Sequence, residues 1–146
     1  MYVASATTND VYEINPASGT TTTHSGVASA RITQLTCCVT IASTPNLFGT
    51  ENSINRIWYA PIGIGAHTDI PTPGSGPFGI TVGPDFNIWF TEQNSNDIAI
   101  NYPGSTTFKT FPIPTTNSGA GLLTTGPDGN LWFTEITANK VGVITP

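Results

Sequence analysis

Gly83-Pro84-Asp85-Phe86-Asn87-Ile88-Trp89-Phe90-Thr91-Glu92 is a tight turn feeding a strand. Pro presets its own φ, and the Asp and Asn side chains bond their own backbone two residues on, so Pro84, Asp85 and Asn87 each favour the turn. Ile88 to Thr91 then sets β-branched and aromatic residues in succession, which suits a pleated, well-buried strand. The stretch returns as Gly126-Pro127-Asp128-Gly129-Asn130-Leu131-Trp132-Phe133-Thr134-Glu135, with Trp132 standing 43 residues after Trp89. Self-similarity at such a spacing marks a repeat architecture.

The likeness runs on past the glutamates. Asn96 aligns with Asn139, and Ile98 with Val141. A worn copy lies upstream in Pro45-Asn46-Leu47-Phe48-Gly49-Thr50-Glu51, where Phe48 stands for Trp89. A fainter one opens the chain at Met1-Tyr2-Val3-Ala4-Ser5, with Tyr2 in that place and Ser5 replacing the glutamate. Strand signals recur at 1–6, 10–14, 20–24, 35–42, 47–50, 56–60, 66–70, 78–82, 88–91, 98–102, 107–111, 122–125, 131–134 and 140–144. Turn clusters such as Asn15-Pro16-Ala17-Ser18-Gly19 and Pro71-Thr72-Pro73-Gly74-Ser75-Gly76-Pro77 separate them. No segment keeps a helical period. The chain therefore reads as all-β, with repeat units at about 1–34, 35–76, 77–119 and 120–146 of up to four short strands each, a to d. Such units are blades of a β-propeller. The first unit begins at strand b and the last ends at strand c, about three and a half blades in all.

Composition narrows the function. Only 9% of residues are charged and the net charge is −5 with four basic residues, so the basic footprint that nucleic acid requires is missing. No apolar run is long enough to span a membrane. Met1 to Ser5 lacks the basic and apolar regions of a secretory signal, while the Thr-, Ser- and Asn-rich, weakly charged composition points to an extracellular or cell-surface setting. Cys37 and Cys38 are adjacent. Neighbours on a strand point to opposite faces, so the expectation is two small buried hydrophobes rather than a disulfide or a metal site.

Gly-Pro-Asp-Gly-Asn-Leu-Trp-Phe-Thr-Glu at 126–135, followed by Asn139-Lys140-Val141-Gly142 and preceded by the Pro112-Ile113-Pro114 linker, resembles the blade repeat of the virginiamycin B lyase (streptogramin lyase) family. The resemblance implies a seven-bladed ring, of which this chain is about half. It also implies that strand a lines the channel and that the d–a and b–c connections share one rim, where ligands sit. Candidate ligand-binding residues on that rim are Glu51, Glu92 and Glu135, Phe78, and Asn94, Asn96 and Asn139. A ring of carboxylates and amides suits a cation or a polar ligand. The opposing reading is that each repeated glutamate bonds the backbone of its own b–c loop.

The lyases place histidines on this rim, with acidic and metal-linked neighbours, and a Pro-His pair precedes strand a. Here the matching positions hold Phe78, Gly121 and Cys37, and the two histidines, His24 and His67, fall in apparent outer strands. No catalytic residue, metal ligand or cofactor is therefore assigned; magnesium belongs to the lyase alternative alone. Trp89, Trp132 and Phe48 read as packing between blades, and Trp58-Tyr59 as a less regular pair open to a ligand. The expected function is a non-catalytic binding or self-assembly module, with copies of the chain as the expected partner because an open arc exposes strand edges and sheet faces. The alternative is a lyase that acts only when another segment completes it.

Overall fold

The computed structural model describes residues 1–5, 7–24, 32–63 and 66–146; position 6, the end of the first expected strand, lies outside them. Fourteen strands form four antiparallel sheets among the described residues. The first sheet holds β1 (Tyr2–Ala4), β2 (Val11–Ile14) and β3 (Thr21–His24). The second holds β4 (Gln34–Ile41), β5 (Thr44–Glu51), β6 (Arg56–Pro61) and β7 (Thr68–Pro71). The third holds β8 (Pro77–Val82), β9 (Ile88–Glu92), β10 (Asp97–Asn101) and β11 (Phe108–Pro112). The last holds β12 (Ala120–Thr125), β13 (Leu131–Glu135) and β14 (Lys140–Ile144). Strands follow one another in order within each sheet, as in propeller blades. The first sheet is a b–c–d set and the last an a–b–c set. A 3-10 turn, Asn52–Ile54, interrupts the b–c connection of the second sheet.

Period-2 alternation explains the packing, because both faces of a middle blade are covered. On β9, Phe90 and Ile88 point back into a cluster with Phe48, Ile57, Ile70 and Ile80. Trp89 points forward into a cluster with Leu123, Leu131 and Phe133, and stacks on Phe111 with ring centroids 5.6 Å apart. Tyr2, Phe48 and Trp89 all face the following sheet. Trp132 occupies the same register, opposite Thr124 and Val143 as Trp89 is opposite Thr81 and Ile100. Yet it is 41% exposed where Trp89 is 2%. The expectation of a buried Trp132 is corrected for a simple reason: among the described residues no fifth sheet covers it. Trp58 is also corrected, since it is fully buried against Val11, Ile32 and Leu47.

The signature turn is a structural device. Asp85 Oδ1 accepts from the Asn87 backbone N–H at 3.2 Å and from the Trp89 indole N–H at 3.0 Å, while Asn87 Nδ2 donates to Asp85 Oδ2 at 2.8 Å. Asp128, Asn130 and Trp132 repeat the pattern. Gly83 and Gly126 open these turns because a Cβ at either would run into the Asp carboxylate and the indole. At the cysteines the structure overturns the expectation. Cys38 is the extra residue of a bulge, since Cys37 pairs with Leu47 and Val39 with Asn46. A bulge breaks the strict alternation of faces, and the two sulfurs are joined, with Cys38 exposed and Cys37 half-buried.

Candidate functional site

The repeated residues meet at the rim formed by the b–c turns and the d–a linkers, and most of them grip the linkers. Asn55, Asn96 and Asn139 each take a left-handed φ, of 53°, 63° and 52°, at the b–c turn. Asn tolerates that region better than most residues. At Asn55 and Asn96 the side chain bonds the linker leaving its own blade. Asn55 Oδ1 accepts from the Gly76 backbone N–H at 2.8 Å. Asn96 Oδ1 accepts from the backbone N–H and the hydroxyl of Ser118, both at 2.8 Å, and its Nδ2 donates to the carbonyls of Ile113 and Thr115.

The blade ahead grips the same linker from the other side. Glu92 Oε1 accepts from the Gly74 backbone N–H at 2.8 Å, and Ser95 Oγ from that of Ser75 at 2.7 Å. This corrects the idea that Glu92 serves its own b–c loop: β9 ends beside the linker that enters its blade. Glu51 and Glu92 are fully buried and Glu135 nearly so. Burial chiefly pushes the Glu92 carboxyl above its ordinary range; the Gly74 N–H opposes the rise and the Asp97 charge adds to it. Oε2 of Glu92 and of Glu135 is buried without a hydrogen-bond partner.

A second set, absent from the sequence reading, sits one residue before each glutamate. Thr50 Oγ1 accepts from the Gln34 backbone N–H in its own strand a and donates to the Phe78 carbonyl in the next blade's strand a at 2.7 Å. Thr91 does the same between Gly79 and Gly121, at 2.9 and 2.8 Å. Strands β8 and β12 shift register beside these sites, so a hydroxyl replaces a backbone ladder bond. Thr134 is the next in the series, and it is exposed with only a 3.5 Å contact to Leu122 of its own blade. The threonine in each Phe-Thr-Glu or Phe-Gly-Thr-Glu stretch was the available signal.

The candidate residues do not share one cavity. Phe78 enters the bridge through its carbonyl, and Asn94 lies exposed beside Gly76. Glu135 and Asn139 line one open cleft of about 470 Å³ with Lys140 on the last blade. His24 ends β3, with Nε2 3.2 Å from Glu13 Oε2, and His67 precedes β7, 3.4 Å from Asp69. Both lie at outer strands, away from the rim. No three His, Cys, Asp or Glu side chains converge on a metal-sized position among the described residues. No helix there is long and apolar enough to cross a membrane.

A profile of the virginiamycin B lyase family matches residues 1–146. Virginiamycin B lyase from Staphylococcus aureus is 31% identical and superposes with a TM-score of 0.82, over 99% of this chain and 48% of that one. A catalytically inactive His-to-Ala form of the Staphylococcus aureus enzyme, solved with quinupristin, is 30% identical, with a TM-score of 0.78 over 99% of this chain and 51% of that one. The WD40 β-propeller domain of Doa1, at 14% identity, a TM-score of 0.71 and coverage of 97% and 45%, shares the fold alone. The chain thus spans about half the length of these structures. A search of curated proteins finds no match.

Proposed function

We propose, from the premise that this chain belongs to the virginiamycin B lyase family, that it is a non-catalytic propeller module which binds and assembles through its open blade faces. The open face of the last blade carries this reading: Leu122, Trp132, Ile136, Val141 and Val143 on it are all exposed apolar residues. The equivalents of the two valines, Ile98 and Ile100, are buried. A contiguous apolar face of this kind favours association.

A copy of the same chain is the partner proposed. Its first sheet offers Met1 and Val3, which are exposed and alternate with the inward Tyr2. Such a head-to-tail contact is heterologous and either closes into a ring or propagates as a filament. Low surface charge weakens the repulsion that normally blocks edge pairing. It also supports an extracellular or cell-surface setting, which fractionation of the source cells checks. Light scattering of the purified chain over a range of concentrations tests the assembly. The expected result is a mass above 15.3 kDa that falls toward it with Val141→Asp. A folded species that stays at the monomer mass overturns the reading.

Kinship at about 30% identity with the lyase structures supports a second reading, a lyase active once another segment supplies rim histidines and magnesium ligands. The rim residues of this chain, Glu51, Glu92, Glu135, Phe78, Asn94, Asn96 and Asn139, would then frame the ligand. Incubation with quinupristin and magnesium separates the two. The module reading expects no ring opening by the chain alone, and turnover abolished by Glu135→Gln favours the lyase.

A further inference from the structure

The rim opposite the linkers carries a feature that the fold does not require. In the turn before β9, the Phe86 N–H donates to the Gly83 carbonyl at 3.0 Å, and the Gly83 N–H donates to the Asn87 carbonyl at 2.9 Å. The turn before β13 is the same, with Gly129 in place of Phe86 and distances of 3.2 and 2.8 Å. The last turn residue has φ of 60° at Phe86 and 75° at Gly129. Glycine takes this region freely, whereas a bulky side chain is strained there. Asp, Asn and Trp are otherwise kept identical in the two turns. Phe86 gains no burial in exchange, being 77% exposed. A strained residue that packs on nothing in its own fold points to a task outside the fold.

Phe86 forms one wall of a groove of about 560 Å³ between the second and third sheets. The others are the joined Cys37–Cys38 pair, Val39, Thr40, Val82 and Pro103. The size falls within the usual range of small-molecule sites. No charged side chain lines it, so an ionic ligand would lose hydration without compensation. Thr40 is the single hydroxyl, too few polar partners for a sugar, whose many hydroxyls each need one. A flat aromatic ring fits, because it stacks on Phe86 and spreads over the apolar valine, proline and sulfur surface.

We propose that this groove is a binding site for a neutral aromatic small molecule, with Phe86 as its stacking wall. The site is separate from the linker rim and from the open face of the last blade.

Titration with N-phenyl-1-naphthylamine, a neutral fluorescent aromatic probe, tests it. The expected result is saturable binding that Phe86→Gly weakens about tenfold, the worth of one good aromatic contact, without lowering the thermal midpoint, since glycine is at home in the turn. Thr22→Ala, on the exposed outer strand of the first sheet, leaves the affinity unchanged. Absence of saturable binding overturns the proposal, as does full affinity in Phe86→Gly or loss of binding in Thr22→Ala. A lower midpoint for Phe86→Gly shows a structural role and overturns it too. Displacement of the probe by glucose shows that the ligand class is wrong.

Discussion

Asp85 and Glu92 lie seven residues apart on one hairpin and answer pH with opposite signs. Burial opposes the Asp85 charge, but bonds from Asn87 and Trp89 outweigh it and hold the carboxyl below its ordinary 3.8. Its share of stability is present above that value and is lost as pH falls through the lower folded value. Glu92 is the reverse: with its carboxyl raised above 4.5 by burial, its share is present at low pH and is lost as pH rises through the folded value. Glu92→Gln keeps an acceptor for Gly74 and removes the charge. Thermal melts across pH 4.5 and upward should therefore show the variant gaining on the native protein, and a constant difference would exclude the ionisation. Asp85→Ala leaves the buried Trp89 indole N–H without an acceptor and should cost about 1–3 kcal/mol in denaturant unfolding.

At the scale of the element, the linkers explain why the rim residues repeat. The d–a linkers at 72–76 and 113–119 lie outside the strands, so their backbone groups need other partners, and Asn55, Glu92, Ser95 and Asn96 provide several of them. Asn96→Ala loses four hydrogen bonds and a residue suited to its left-handed φ, and should cost about 2–4 kcal/mol. Asn139 has the same φ but grips no linker among the described residues, so Asn139→Ala should cost about 1 kcal/mol. Equal losses in urea unfolding would refute the clamp. The Asn96–Asn139 pairing was legible in the sequence because both follow the repeated Trp-Phe-Thr-Glu block at one spacing. Asn55 was not, because the 3-10 turn Asn52–Ile54 lies in a worn copy. Nor could spacing tell that Glu92 reaches a linker 18 residues upstream, since that contact depends on how strand ends meet in space.

For the whole molecule, the repeat placed every strand in order, because turn chemistry and alternation are local and recur. It did not foresee the exposure of Trp132, which depends on what stands beyond the last sheet. Trp89→Ala should cost about 3–5 kcal/mol, as for a fully buried aromatic, whereas Trp132→Ala should cost about 1–2 kcal/mol and reduce association. Similar losses by chemical unfolding would mean that the last face is covered in solution. The cysteine pair was misread for a different, local reason, a bulge that alternation alone does not reveal. The threonine bridges have a kinetic consequence. Since Thr50 and Thr91 each tie the innermost strand of one sheet to that of the next, the third sheet is tied on both sides and the last on one. Local opening draws on the least tethered parts first, and stacked repeats fray from their ends. In deuterium exchange the amide of Phe133 should therefore lose its proton sooner than that of Phe90, its counterpart one blade inward, and a chain extended by one more blade should slow it.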